Sequence, residues 1–266
     1  MTVLTKGLRD GGTVTWRNLQ RVKRSPDWLF AAVVQPVMFV LLFAYVFGGS
    51  LGGGAYREFL LAGIFAQTVA FSSAFTTIGL ADDLQKGIVD RFRSLPMSRI
   101  AVMFGRTTSD LAISVIALVV MSLCGLLVGW RIRGSFTDAV LAYLILLLFS
   151  FAMSWIGAVI GLSVPNVEVA QSLGLVWLFP VSFISSAFVS AANMPGPLRA
   201  FAEWNPFTAV IESTRGLFGN VSPPQFPPLT GWPAEHATLY ALACCVGILL
   251  IFVPLAVLRY RRVASR

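Results

Sequence analysis

Charged residues divide this chain into six long uncharged stretches, 29–48, 59–80, 111–130, 139–161, 169–190 and 237–258. A helix needs about 20 apolar residues to cross the hydrocarbon of a bilayer, and each stretch reaches that length. The expected fold is an all-α membrane protein with six transmembrane helices, forming one domain over residues 1–266. A seventh uncharged stretch, 216–234, is set aside because it holds Pro223, Pro224, Pro227, Pro228 and Pro233. Proline removes a backbone donor and clashes within a helix, and lipid offers the freed carbonyls no partner.

The polar intervals are patterned too. Between the second and third stretches lies "DDLQKGIVDRFRSLPMSR", residues 82–99. At 3.6 residues per turn Leu84, Ile88, Phe92 and Leu95 fall within about 80° of one another, so residues 82–95 read as a short amphipathic helix. Asp82 and Asp83 are expected to open it, Arg91 and Arg93 to close it, and Pro96 to end it. Asp82–Lys86 and Lys86–Asp90 have i,i+4 spacing. The apolar face either docks into another protein or lies on lipid, and the acidic first turn disfavours anionic headgroups.

Residues 191–236 form the longest connection, and within them "NPFTAVIESTRGLFG" carries helix-end signals. Asn205 suits the N-cap, Pro206 the first helical position and Gly219 the residue after the C-cap. Phe207, Val210, Ile211, Thr214 and Phe218 share a face, and Glu212 and Arg215 are spaced to pair. The segment reads either as a lid dipping into the membrane or as a surface helix on the loop. An exposed ion pair there contributes only about 0–1 kcal/mol. Residues 8–27, with Trp16 among basic residues, read either as an interfacial helix or as a plain positive flank.

Composition agrees with a bilayer setting: 56% of the 266 residues are hydrophobic and 12% charged, with a mean hydropathy of +0.78. The net charge of +8 does not indicate nucleic acid, because the basic residues sit in short segments between apolar runs. With six crossings, fifteen Lys and Arg fall on the side of the termini and of residues 81–106, and five on the other. The positive-inside rule then makes the termini cytoplasmic. The N-terminus lacks the pattern of a cleaved signal peptide, so the first span is expected to act as an uncleaved anchor. Cys124, Cys244 and Cys245 lie in apolar runs without metal spacing, and His236 is the single histidine. No G-x-x-x-x-G-K-[ST] occurs, so a P-loop motor is absent from this chain.

"RFRSLPMSRIAVMFGRTTSDL" and "VWLFPVSFISSAFVSAANMPGPLRAFAEWNPFTAVIESTRGLFG", with the six-span layout, resemble ABC-2 type permeases, in particular the daunorubicin/doxorubicin-resistance exporter permeases of actinobacteria. The resemblance implies a type V exporter-like fold and a permease subunit that works with a second permease, a copy or a paralogue, and two separate ATPase subunits. ATP and Mg would reside on those partners, with no cofactor or metal on this chain and no enzymatic activity of its own. It further implies that residues 1–27 form a cytoplasmic interfacial helix and residues 82–95 the coupling helix, with Leu84, Ile88, Phe92 and Leu95 facing the ATPase. Re-entrant helices would lie within 195–219, with Asn205, Pro206, Glu212 and Arg215 as a candidate external gate. Substrates in the family are hydrophobic or amphiphilic, among them antibiotics and envelope lipids, and the setting is a bacterial plasma membrane.

Polar residues inside the second and fifth spans mark either a substrate path or interhelical packing. Ser72, Phe75 and Thr76 are candidates in the second, and Ser182, Phe183 and Ser186 in the fifth. No Asp, Glu, Lys or Arg falls inside any of the six stretches, which weighs against a secondary carrier driven by protons or sodium. A secondary carrier and a membrane scaffold are the competing readings. A membrane enzyme lacks the motifs it would need.

Overall fold

A computed structural model of the chain describes residues 26–47, 53–87, 99–220, 222–224 and 226–263, and the regular structure among them is helical, without strands. The helices are α1 (Pro26–Leu42), α2 (Gly53–Gln85), α3 (Arg99–Val128), α4 (Phe136–Gly161), α5 (Val167–Val176), α6 (Leu178–Phe183), α7 (Gly196–Glu203), α8 (Pro206–Leu217), α9 (Trp232–Glu235) and α10 (Ala237–Val263). A π turn, Phe43–Phe47, follows α1. Residues 1–25, which hold nearly all of the expected interfacial helix, lie outside the described residues.

Among the described residues four helices are long and apolar enough to cross a membrane: α2, α3 from Gly105, α4 and α10. The apolar helical segments Val34–Val46 and Val167–Phe183 are shorter. The fifth uncharged stretch does not form one continuous helix: it turns at Trp177, stops at Phe183 and runs on irregularly to Ser190. Pro180 lacks the N–H that would continue the ladder, and the last turn closes with Ile184 N–H donating to the Pro180 carbonyl at 2.9 Å. The hydroxyls of Ser182 and Ser185 donate to the Phe179 and Ser182 carbonyls.

The hub is α2, which packs on α3, α4, α5 and α8. Its 33 residues extend about 50 Å at 1.5 Å per residue, well beyond the hydrocarbon core. Small residues bring α4 close to it. A Cβ on Gly157 would lie 2.3 Å from the Ser73 carbonyl oxygen, and one on Gly161 2.6 Å from that of Thr77. The Thr77 hydroxyl crosses this contact to the Gly157 carbonyl at 3.0 Å. Gly157 and Gly161 are four apart, the spacing that lets two membrane helices meet backbone to backbone. By contrast α3 and α10 leave most of their apolar side chains outside the bundle, as lipid-facing helices do.

Two corrections concern the ends of α2 and α3. Asp82 and Asp83 do not open a separate helix; they occupy the last turn of α2, which ends before Gly87 adopts φ +62°. Asp82 still pairs with Lys86, at 2.7 Å. And α3 begins at Arg99, so Arg106 and Asp110 are helical residues packed against α2. The sequence boundary at residue 111 had placed these charges outside the span.

Candidate functional site

A cleft of about 170 Å³ opens between α1, α2 and α5. Its polar lining is uncharged: Gln35, Gln67, Thr68, Ser72 and Gln171. Its apolar lining includes Phe39, Phe71 and Phe75. Amides and hydroxyls both donate and accept hydrogen bonds, so this wall can match carbonyl and hydroxyl groups on a ligand, while the rings take flat apolar surface.

Phe39 and Phe71 are also the two ends of an aromatic ladder. Ring centroids run Phe39–Phe43 at 5.9 Å, Phe43–Phe188 at 4.5 Å, Phe188–Phe183 at 5.1 Å, Phe183–Phe179 at 6.1 Å and Phe179–Phe71 at 5.1 Å. These spacings lie within the range of favourable aromatic pairs. The ladder links the cleft to the irregular segment after α6.

Of the candidate path residues, Ser72 and Phe75 line the cleft. Phe183 stands in the ladder and is partly exposed. Thr76 instead points into the α2–α3 interface, where its hydroxyl donates to Asp110 Oδ2 at 2.6 Å. Ser182 and Ser186 are buried at the helix break, and the Ser186 backbone N–H donates to the Thr208 hydroxyl at 3.2 Å. Behind Ser72 a hydroxyl cluster joins three helices: Ser114 and Ser150 are 2.7 Å apart, and Ser72 lies 3.3 and 3.4 Å from them.

The gate candidates come together as expected in local geometry and differently in burial. Asn205 caps α8, its side chain accepting from Phe207 N–H at 2.9 Å, and Pro206 takes the first position. The Asn205 amide also donates to the Val181 and Ile184 carbonyls, each at 2.7 Å, so one residue starts α8 and secures the end of α6. Gly219, after the C-cap Phe218, adopts φ +69°. Yet α8 is not a surface helix. It is lodged among α2, α4 and α10, with Thr208, Ala209, Ser213 and Arg215 buried as well as the expected apolar face.

The Glu212–Arg215 pair is therefore not exposed. The Arg215 side chain is 3% accessible and that of Glu212 21%, with 2.7 Å between Nη1 and Oε1. Arg215 also donates to the Phe59 carbonyl at 3.2 and 3.3 Å and to the Ser186 carbonyl at 2.9 Å, and it lies 3.6 Å above the Phe59 ring. Burial pulls its guanidinium below the ordinary value, and the charge and hydrogen bond of Glu212 counter that pull. At the same end Asn220 accepts from Trp130 Nε1 at 2.8 Å and donates to the Arg131 carbonyl at 2.9 Å, tying the α3–α4 turn to the end of α8.

At the opposite end Leu84 packs, half-buried, on a small cluster around Leu80, Trp155 and Tyr260. Ile88, Phe92 and Leu95 lie outside the described residues. Here Arg106 bridges α2 and α3. Its Nη1 is 3.4 Å from Asp83 Oδ2, its Nη2 3.5 Å from the Phe75 carbonyl, and its Nε 3.9 Å from Asp110 Oδ1. This buried cluster was missed in the sequence. The signal available was Arg106 and Asp110 at i,i+4 on the threshold of an apolar run. Gln171 was missed as well, though a glutamine in an otherwise apolar helix face marks a polar contact.

Among the described residues the long apolar helices are those of a multi-pass membrane protein, with an uncharged polar cleft between α1, α2 and α5. The chain belongs to the ABC-2 type transporter family, whose model matches residues 11–218. It is 32% identical over 270 residues to the daunorubicin resistance ABC transporter permease protein DrrB1 of Streptomyces coeruleorubidus, covering 98% of this chain and 92% of that protein. It is also similar to the proteins designated ycf38, assigned as transport permeases, of Porphyra purpurea and Pyropia yezoensis. Each is 26% identical, over 75% and 77% of this chain and 70% and 72% of theirs.

Proposed function

We propose that this chain is the transmembrane subunit of an ATP-driven exporter in a bacterial plasma membrane, and that its cargo is an amphiphilic compound with a flat apolar body and uncharged hydrogen-bonding groups. The observation that carries this reading is the cleft, with its amide and hydroxyl lining flanked by the phenylalanine ladder, in a chain of the ABC-2 family. Its resistance-permease relative, named for daunorubicin, supports a drug-like cargo. At about 170 Å³ the cleft is smaller than the roughly 300–1,000 Å³ of drug-sized sites, so a second permease chain supplies the remaining wall. The termini and residues 88–98 face the cytoplasm, α1 and the α5–α6 pair complete six crossings, and α7 and α8 form the external re-entrant unit. Hydrolysis takes place on a separate ATPase subunit that grips residues 88–98 through Ile88, Phe92 and Leu95, while Leu84, packed on the Leu80, Trp155 and Tyr260 cluster, belongs to α2 and not to that face; an envelope lipid is the alternative cargo.

The buried Asp110 favours a second reading, a carrier driven by an ion gradient, since intramembrane carboxylates serve that role. Asp110 is held by Thr76 and Arg106, however, and Arg106 offsets its charge. Inside-out vesicles holding the chain and its ATPase discriminate the two readings. Doxorubicin uptake should require ATP hydrolysis and survive an uncoupler, and Phe71→Ala should lower it at unchanged protein level. Phe92→Asp should abolish copurification of the ATPase, because a charge without a partner in an apolar groove costs several kcal/mol. Uptake driven by a pH gradient without ATP would overturn the exporter reading.

A further inference from the structure

A charge cluster of Asp83, Arg106 and Asp110 joins the adjoining ends of α2 and α3. Gly79 on α2 lies directly beneath the Arg106 guanidinium: a Cβ there would sit 1.5 Å from Nη2 and 2.4 Å from Cζ. The absence of a side chain at residue 79 makes a notch, and the guanidinium lies in it across the backbone of α2. From that seat Arg106 reaches Asp83 on the last turn of α2 and, on its own helix, Asp110, which Thr76 holds from α2. Nε faces Asp110 Oδ1 at 3.9 Å, an ion-pair distance beyond that of a hydrogen bond.

Two features make this more than a fastening. Asp83 lies two residues before the end of α2 and Arg106 seven residues into α3, so the bridge joins the two stems of the segment between them. The polar contacts also continue inward. Thr76 and Ser72 are one turn apart on α2, as are Asp110 and Ser114 on α3, and Ser114 and Ser72 meet at 3.3 Å where Ser72 lines the cleft. Along α2 the distance from Asp83 to Ser72 is about 16 Å.

We propose that Arg106, seated in the Gly79 notch, is a positioning residue that makes the ends of α2 and α3 move as one body, so that displacement of residues 88–98 reaches the cleft. This inference rests on the coupling role proposed above. A salt bridge and a fork-shaped donor fix both distance and angle between two helices, which an apolar contact does not. Gly79→Ala tests the notch directly. The three atoms nearest its methyl all belong to the Arg106 guanidinium, the far end of a side chain, so the guanidinium is displaced while every charge is kept.

The test uses the full chain with its ATPase in vesicles and reads doxorubicin exported per ATP hydrolysed. Arg106→Gln and Gly79→Ala are each expected to bind the ATPase and hydrolyse ATP at near wild-type rate, and to lose tenfold or more of export per ATP. Arg106→Lys, which keeps the charge and loses the fork, should fall between. Spin labels at Gln85 and Thr108, both exposed, read the stems in the permease itself: one narrow distance in wild type, a broad distribution in Gly79→Ala. A merely structural role predicts lower protein yield with an unchanged export ratio and an unchanged distance distribution, and that result overturns the proposal. If Arg106→Gln fails to fold, Gly79→Ala decides alone. A wild-type complex without ATP-dependent export would refute the exporter reading instead, a result distinct from unchanged variants in an active complex.

Discussion

Replacing Arg215 with Met removes the most heavily engaged charge of α8 while keeping a long apolar stem. Three losses follow. Glu212 loses its partner, the Ser186 and Phe59 carbonyls lose a donor, and the Phe59 ring loses the cation above it. Breaking a buried ion pair from one side costs about 3–5 kcal/mol. Glu212 retains some contact with solvent, which favours the lower end of that range. An unsatisfied buried carbonyl adds about 1–3 kcal/mol, and a desolvated cation–π contact contributes about 2. These losses overlap, so the expected net destabilisation is about 3–5 kcal/mol. For a chain of this size that lowers the midpoint of thermal unfolding by on the order of 10 °C. The assay is loss of the monodisperse species in detergent on heating. Lys86→Met is the control: its pair with Asp82 is an exposed i,i+4 contact, worth about 0–1 kcal/mol, and its loss should leave the midpoint nearly unchanged. An Arg215→Met midpoint within about 2 °C of wild type would refute the placement of α8 as a buried helix anchored through this residue.

Gly157→Val should be more damaging than Gly247→Val, because even one Cβ at Gly157 meets the Ser73 carbonyl oxygen at 2.3 Å and that atom is backbone, whereas a Cβ at Gly247 meets nothing within 4 Å. Overpacking of this kind costs about 1–3 kcal/mol or more, read as reduced yield of folded protein and a lower midpoint; wild-type behaviour would mean that α2 and α4 do not touch there. Orientation is tested with single cysteines at Ser98 and Ser222 in a background lacking Cys124, Cys244 and Cys245. An impermeant maleimide on intact cells should label Ser222→Cys and spare Ser98→Cys, and the reverse pattern would invert the assigned topology.

Several local signals in the sequence proved sound, although Asp82 and Asp83 close α2 instead of opening a helix and the fifth uncharged run breaks at Trp177 and Phe183. The uncharged runs at 59–80, 111–130, 139–161 and 237–258 all lie on long helices, apart from the turn at residues 129–130. Asn205, Pro206 and Gly219 mark the ends of α8 because a cap, a fixed φ and a left-handed turn are properties of a few adjacent residues. The family was likewise legible from two quoted segments and the span layout. What the sequence left undecided was everything that depends on which surfaces meet. Arg215 looks like a solvated charge until α2 and the segment after α6 close over it and offer two carbonyls and a ring. Arg106 and Asp110 look like the flank of a span until Gly79 provides the notch that lets a guanidinium cross a helix. Ser72 and Thr76 share one face of α2 by spacing, yet one lines a cleft and the other holds a carboxylate. Helix periodicity assigns a residue to a face; only packing decides whether that face meets lipid, a cleft or another helix.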